Sequence, residues 1–195
     1  NGGRHIEEQL IECFERKSDP FGERSLDPDQ GYTLDLTSEL KSYDLERWWK
    51  DLRKRPDIKA HLDKITSLRI NRTSLSADPE GLLGSFPHLR QLSARQCNLE
   101  EIPSSIGQMR QLEDLDLADN RIGSAPQLKE LVRLRTLNLN GNPLHLPPDV
   151  GRMYRLEELS LANTGIQTWP AGLFKVGSNN RQRPRSFMLD MRKAP

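Results

Sequence analysis

The chain has 195 residues, 34% hydrophobic and 29% charged, and its 29 basic and 28 acidic side chains leave a formal charge of +1. So lean an apolar fraction suits a thin, elongated core with much wet surface. The charge balance excludes a global pull toward nucleic acid or an anionic membrane. Two cysteines, Cys13 and Cys97, cannot build a disulfide framework in a chain this long, which favours a reducing environment. No apolar run approaches the roughly 18 residues needed to cross a bilayer, and no signal-peptide core opens the sequence. The start at Asn1 and the end at Pro195 lead us to expect a piece of a longer protein.

In chain order, Ile6, Leu10 and Phe14 fall at helical spacing, and the Pro-, Gly- and Asp-rich stretch at about 18–36 is expected to be a linker. A second helical stretch starts near the capping residues Thr37 and Ser38 and carries Leu40, Leu45, Trp48, Trp49 and Leu52. Pro56 interrupts it, and the pattern resumes with Ile58 and Leu62 on one face. Residues 1–64 show no repeat and are expected to form a helical N-terminal cap over the apolar edge of residues 65–195. Because adjacent helical residues point about 100° apart, one of Trp48 and Trp49 should pack inward and the other partly show.

From Ile65 onward the pattern L-x-x-L-x-L-x-x-N-x-L recurs. It reads Ile65-Leu68-Ile70-Thr73-Leu75, Leu89-Leu92-Ala94-Cys97-Leu99, Leu112-Leu115-Leu117-Asn120-Ile122, Leu134-Leu137-Leu139-Asn142-Leu144 and Leu156-Leu159-Leu161-Thr164-Ile166. The first positions, 65, 89, 112, 134 and 156, differ by 24, 23, 22 and 22. A chance amphipathic helix does not hold such a period through five units. The return half of each unit repeats too, as Ile102-Pro103, Ala125-Pro126, Leu146-Pro147 and Trp169-Pro170, each with two further apolar positions after it. Residues 175–186 are polar and basic and are expected to loop out. Leu189 and Met191 then take the strand positions of a truncated sixth unit, with Ala194 in the place of the Asn. The predicted architecture is an α/β solenoid over 65–195, with short parallel strands lining a concave face.

Within each unit the x-L-x-L segment has the period-two pattern of a strand, leucines inward and their neighbours outward. The chain must then turn off the sheet, and a buried amide side chain can satisfy the backbone groups stranded there. Thr73, Cys97, Asn120, Asn142 and Thr164 occupy that place and are expected to form a structural ladder, tightest at the two asparagines. The outward positions supply the candidate partner-binding residues: Arg69, Asn71, Ser93, Arg95, Asp114, Asp116, Asn138, Asn140, Glu158 and Ser160. These run from basic to acidic along the stack and would orient an approaching folded protein or extended peptide.

Catalytic chemistry finds little support. Cys97 lies in the ladder register of a buried thiol rather than the setting of a nucleophile, and Cys13 sits among apolar helical residues. His5, His61, His88 and His145 lack metal-ligand spacing, and neither a phosphate-binding Gly loop nor a nucleophile elbow is present. No catalytic residue, metal or cofactor is expected. The basic, aromatic run RWWKDLRKR is interleaved with Asp44, Glu46 and Asp51, so nucleic acid is not an expected partner.

Residue by residue, 65–177 resembles the leucine-rich repeat family, in the variety whose return segment reads L-P-x-x-I-x-x-L. The wording of 134–195, LNLNGNPLHLPPDVGRMYRLEELSLANTGIQTWPAGLF and then RPRSFMLDMRKAP, is similar to the repeat region of large Pseudomonas-type bacterial toxins or effectors. In these a C-terminal novel E3 ubiquitin ligase domain of the IpaH-like kind comes after the repeats. That resemblance implies a non-catalytic module that binds a host protein substrate or restrains the parent's own ligase domain, secreted into the host cytoplasm. Neither Cys13 nor Cys97 maps onto the family's catalytic cysteine, so ligase activity is implied only for a parent protein. The alternative is a stand-alone repeat adaptor or scaffold with no attached enzyme. Oligomeric state is open.

Overall fold

The computed structural model describes residues 7–8, 31–37, 49–75, 81–173 and 187–193. The expected helix at 6–14 beyond Glu7 and Glu8, Cys13, Trp48, the 175–186 loop and Ala194 lie outside the described residues.

Among the described residues, seven strands form one parallel sheet in strict chain order: β1 Tyr32–Asp35, β2 Ile65–Arg69, β3 Gln91–Ser93, β4 Asp114–Asp116, β5 Thr136–Asn138, β6 Glu158–Ser160 and β7 Met188–Asp190. Their central leucines, Leu34, Leu68, Leu92, Leu115, Leu137, Leu159 and Leu189, stand opposite one another across the whole sheet. One inward leucine per strand, stacked in register, is what a period of 22 to 24 residues produces when each period is one coil. Leu68, Leu115, Leu137 and Leu159 are all at most 1% exposed. The strand of the truncated sixth unit is β7, paired with β6.

The first strand corrects the linker expected at about 18–36. Tyr32–Asp35 pairs with β2, with a one-residue bulge after Tyr32, and Leu34 and Leu36 are buried in the core. The sheet therefore begins one coil before Ile65. The spacing from Leu34 to Leu68 is 34 residues, against 24 from Leu68 to Leu92, because helical segments are inserted between the two strands. Two helices are described there, α1 Lys50–Leu52 and α2 Pro56–Leu62. Pro56 opens α2, where its missing N–H costs nothing. Ile58 and Leu62 are buried, as their spacing requires. Trp49 is fully buried, stacks on Phe86 with ring centroids 6.0 Å apart, and donates its indole N–H to Ser85 Oγ at 3.3 Å.

On the return side, units two and three carry a short helix α3, Ser104–Gly107, and a 3-10 turn, Pro126–Leu128. Ile106, Met109, Leu128, Leu131, Val150 and Met153 are buried there. The residue before the proline does not behave uniformly. Ile102 and Ala125 are buried, whereas Leu146 and Trp169 are 58% and 59% exposed. Leu146 comes two residues after Leu144, where Ile102 comes three after Leu99, which turns Leu146 out of the core. Trp169 keeps the spacing of three and is exposed nonetheless.

In each of repeat units one to five, the residue immediately before the ladder position takes a left-handed conformation. These are Arg72, Gln96, Asp119, Gly141 and Asn163, with φ of 56°, 55°, 58°, 73° and 55°. A single left-handed residue swings the chain off the sheet and aims the next side chain into the coil. A Cβ at Gly141 would run into the Asp119 carboxylate of the preceding coil.

Candidate functional site

The ladder positions deliver their side chains to the stranded backbone. Asn120 accepts from the Cys97 and Leu99 amides at 2.9 and 3.1 Å and donates to the Ala94 and Leu117 carbonyls at 2.9 and 2.8 Å. Asn142, fully buried, accepts from the Ile122 amide at 3.1 Å and donates to the Leu117 and Leu139 carbonyls at 3.0 Å each. Each carboxamide therefore ties its own coil to the one before it. The other rungs do less. Thr164 Oγ1 donates to the Leu161 carbonyl at 2.9 Å, and Thr73 Oγ1 makes a 3.5 Å contact with the Asn71 carbonyl. Buried Cys97 shares its one S–H between the Ile70 and Arg95 carbonyls, 3.1 and 3.3 Å from Sγ, and burial raises its pKa, opposite to what a nucleophile needs.

The candidate binding residues lie in three rows across the sheet, two on the strands and one just past their ends. Immediately before the central leucines stand Ser67, Gln91, Asp114, Thr136, Glu158 and Met188; immediately after them stand Arg69, Ser93, Asp116, Asn138, Ser160 and Asp190. Asn71, Arg95, Ala118, Asn140, Ala162 and Arg192 form the outer rim. From β2 to β6 the first two rows line a shallow groove of about 360 Å³. Ala118 and Ala162, outward by alternation, are buried instead.

A second ladder, which no sequence pattern announced, runs along this rim. In seven successive coils a side-chain oxygen caps the rim amide. Where the strand ends in Asp or Asn, that residue caps its own turn two residues on: Asp35 to Thr37, Asp116 to Ala118, Asn138 to Asn140 and Asp190 to Arg192, at 2.9, 3.1, 3.0 and 3.1 Å. Where it ends in Arg69, Ser93 or Ser160, the rim residue of the preceding coil reaches across. Thr37 Oγ1 accepts from the Asn71 amide at 3.3 Å, and the Asn71 and Asn140 side chains accept from the Arg95 and Ala162 amides at 2.8 Å each. Asn71, Asp116, Asn138 and Asn140, expected from sequence to be partner contacts, are thus committed to backbone.

Electrostatics on the face are mixed at its ends. The expected run from basic to acidic holds from β2 to β6, but β1 adds Asp35 before Arg69, and Arg192 pairs with Asp190 beyond Glu158. Arg95 lies 3.7 Å from Asp116 and 4.0 Å from Asp119. Burial pushes the Asp116 carboxyl up, opposed by the Ala118 amide and Arg95. Asp114 is braced from both sides: Gln91 Nε2 donates at 3.1 Å and Thr136 Oγ1 at 2.7 Å. Ser93 donates to Asn71 Oδ1 at 2.8 Å. Glu158 is exposed and engages no described side chain.

Away from the sheet, a larger groove of about 900 Å³ is lined by Ser74, Asn98, Glu100, Glu101, Ser104 and Arg121, with Gln127. Gln127 Oε1 is buried there without a hydrogen-bond partner among the described residues. No sequence signal marked this groove. Among the described residues, no group of three or more metal-ligating side chains occurs and no helix is long and apolar enough to cross a membrane.

Residues 110–149 match the family model for leucine-rich repeats in two copies. The chain is 29% identical over 125 residues to the human volume-regulated anion channel subunit LRRC8A, covering 60% of this chain and 15% of that protein. It is 32% identical over 117 residues to zebrafish tubulin-specific chaperone E, covering 57% and 21%. It therefore spans about a fifth or less of the length of these relatives. Among solved structures, it resembles an internalin from Listeria monocytogenes, with a TM-score of 0.54 at 20% identity over 70% of this chain and 37% of that one. A leucine-rich repeat protein from Leptospira interrogans gives 0.50 at 18% identity over 62% and 37%. The sheet order and the structural neighbours agree on a leucine-rich repeat fold, and residues 110–149 carry two copies of the repeat itself.

Proposed function

We propose that the chain is a non-catalytic protein-recognition module whose binding surface is the concave face of the sheet. The observation that carries this is the contrast between the two sides of each strand. Inward leucines are consumed by the core, while the outward rows present charged and polar groups along a continuous groove. A rigid sheet with regularly spaced side chains suits a protein partner, whose approach a polarised surface orients.

The finer reading is that this module serves a bacterial effector of E3 ubiquitin ligase type, binding a host substrate or the parent's own catalytic domain in the reducing host cytoplasm. Its support is the sequence likeness of 134–195 to repeat regions that precede such ligase domains. An adaptor or scaffold without an attached enzyme is the second reading. It is favoured by relatives whose names denote a channel subunit and a tubulin chaperone rather than a ligase.

The test is capture of protein from host-cell extract on the immobilised chain, with cross-linking afterwards to locate the contact. The expected result is a retained protein cross-linked to β2–β6. Retention of nothing beyond what an unrelated repeat protein retains would overturn the recognition reading. The coding sequence beyond Pro195 separates the finer readings: a helical domain with an acid-flanked cysteine supports the ligase parent, and an immediate stop codon supports the adaptor.

A further inference from the structure

The rim ladder divides the concave face into residues that hold the turn and residues left to meet a partner, which sharpens the recognition reading on which this inference rests. Asn71, Asp116, Asn138 and Asn140 each spend a side-chain oxygen on a rim amide. A partner drawing on those oxygens would uncover backbone N–H groups, and unpaired donors at such a turn are costly. The row before the central leucines carries no such duty. We propose that the strip Gln91–Asp114–Thr136–Glu158 is the partner-contacting surface, and that its occupant is an extended, cationic segment of a protein, laid across the strands.

Three features fit that occupant. Asp114 is fixed by Gln91 on one oxygen and Thr136 on the other, and each oxygen keeps a second lone pair. A carboxylate held in place with both oxygens still accepting matches the planar fork of a guanidinium. Glu158, two strands further on, offers a second exposed carboxylate that no described side chain engages. Strands lie about 4.8 Å apart, so the two carboxylates sit on coils about 10 Å apart, within reach of successive cationic residues of an extended chain. Met188, 65% exposed and next in the row, gives the aliphatic stem of such a side chain an apolar footing. Three nearby cations are engaged elsewhere: Arg95 is drawn to Asp116 and Asp119, Arg192 to Asp190, and Arg135, whose charge also reaches Asp114, is paired with Glu157 at 3.3 Å.

The test uses the whole chain, isotope-labelled, with two synthetic octapeptides, (Arg-Gly)4 and (Glu-Gly)4. The arginine peptide should bind and shift resonances of β3–β6, and the glutamate peptide should not. Asp114→Asn combined with Glu158→Gln should weaken the arginine peptide about tenfold or more, as loss of charged contacts does. Glu158→Arg alone, at an exposed position, should weaken it at unchanged melting temperature and guards against misfolding of the double variant. Asn138→Ala should lower the melting temperature yet leave the affinity of the folded protein within about twofold of wild type. Equal binding of both peptides, full binding by the Asp114/Glu158 double variant, or a loss in Asn138→Ala as large as in the double variant would overturn the assignment. Those outcomes remove the strip without touching capture of a host protein elsewhere on the concave face, which the extract experiment decides.

Discussion

Replacing Asn142 by Ala removes a fully buried rung of the internal ladder. The carboxamide accepts from the Ile122 amide and donates to the Leu117 and Leu139 carbonyls. Leu117 keeps a partner after truncation, because Asn120 Nδ2 also donates to it at 2.8 Å. The Ile122 N–H and the Leu139 carbonyl lose the side-chain bond and stay inside the coil. At about 1–3 kcal/mol for each orphaned buried group, the cost is about 2–6 kcal/mol, a large share of the roughly 5–15 kcal/mol typical of a domain. Asn142→Thr imitates unit five, where Thr164 donates to its own Leu161 carbonyl. Threonine restores the Leu139 bond and leaves only the Ile122 amide unpaired, so the loss should be about half as large. Urea unfolding of the three proteins gives the free energies, and native-state hydrogen exchange locates the effect in repeat units three and four, where nearest-neighbour stacking confines it. An alanine variant within about 1 kcal/mol of wild type, or a threonine variant no better than alanine, would refute the view that these bonds hold the coils together.

Leu137→Ala should cost about 2–5 kcal/mol, read by the same unfolding curves, because Leu137 is 1% exposed and stacked between Leu115 and Leu159. Cys97 should resist a thiol reagent in the native protein and react once urea unfolds it, since burial both shields the thiol and raises its pKa; fast native labelling would contradict the assignment. For Asp116, burial raises the folded pKa above the unfolded one, so ionisation destabilises the fold as pH rises through that window. Asp116→Asn keeps an oxygen for the Ala118 amide, as Asn138 does for Asn140, and should raise the melting temperature at neutral pH with the gain vanishing below the ordinary carboxylate range, about pH 4. A gain that grows on acidification would contradict that sign.

The repeat, its strands and the internal ladder were legible because each depends on residues at fixed spacing, and a coil that stacks on its neighbours writes its geometry into the period. The first strand was not legible. Its coil is 34 residues long, and only Leu34 and Leu36 mark it, too few to stand out beside inserted helical segments. The rim ladder escaped for a different reason. Asn138 and Asn140 occupy outward positions, where alternation assigns a polar side chain to solvent, and nothing local distinguishes a solvated Asn from one that caps a rim amide. The Asn140 bond to the Ala162 amide joins residues 22 apart, and only the coil register brings them together. The flank groove near Glu100 and Arg121 likewise gathers residues from three units, between Ser74 and Gln127, with no motif to announce it.

Recognition on the concave face leaves the larger flank groove without a role. Carboxyl footprinting distinguishes the two surfaces, because Asp114 and Glu158 line one and Glu100 and Glu101 the other. With the captured host protein bound, modification of Asp114 and Glu158 should fall while that of Glu100 and Glu101 stays as in the free chain. Protection of Glu100 and Glu101, with Asp114 and Glu158 modified as before, would contradict recognition on the concave face.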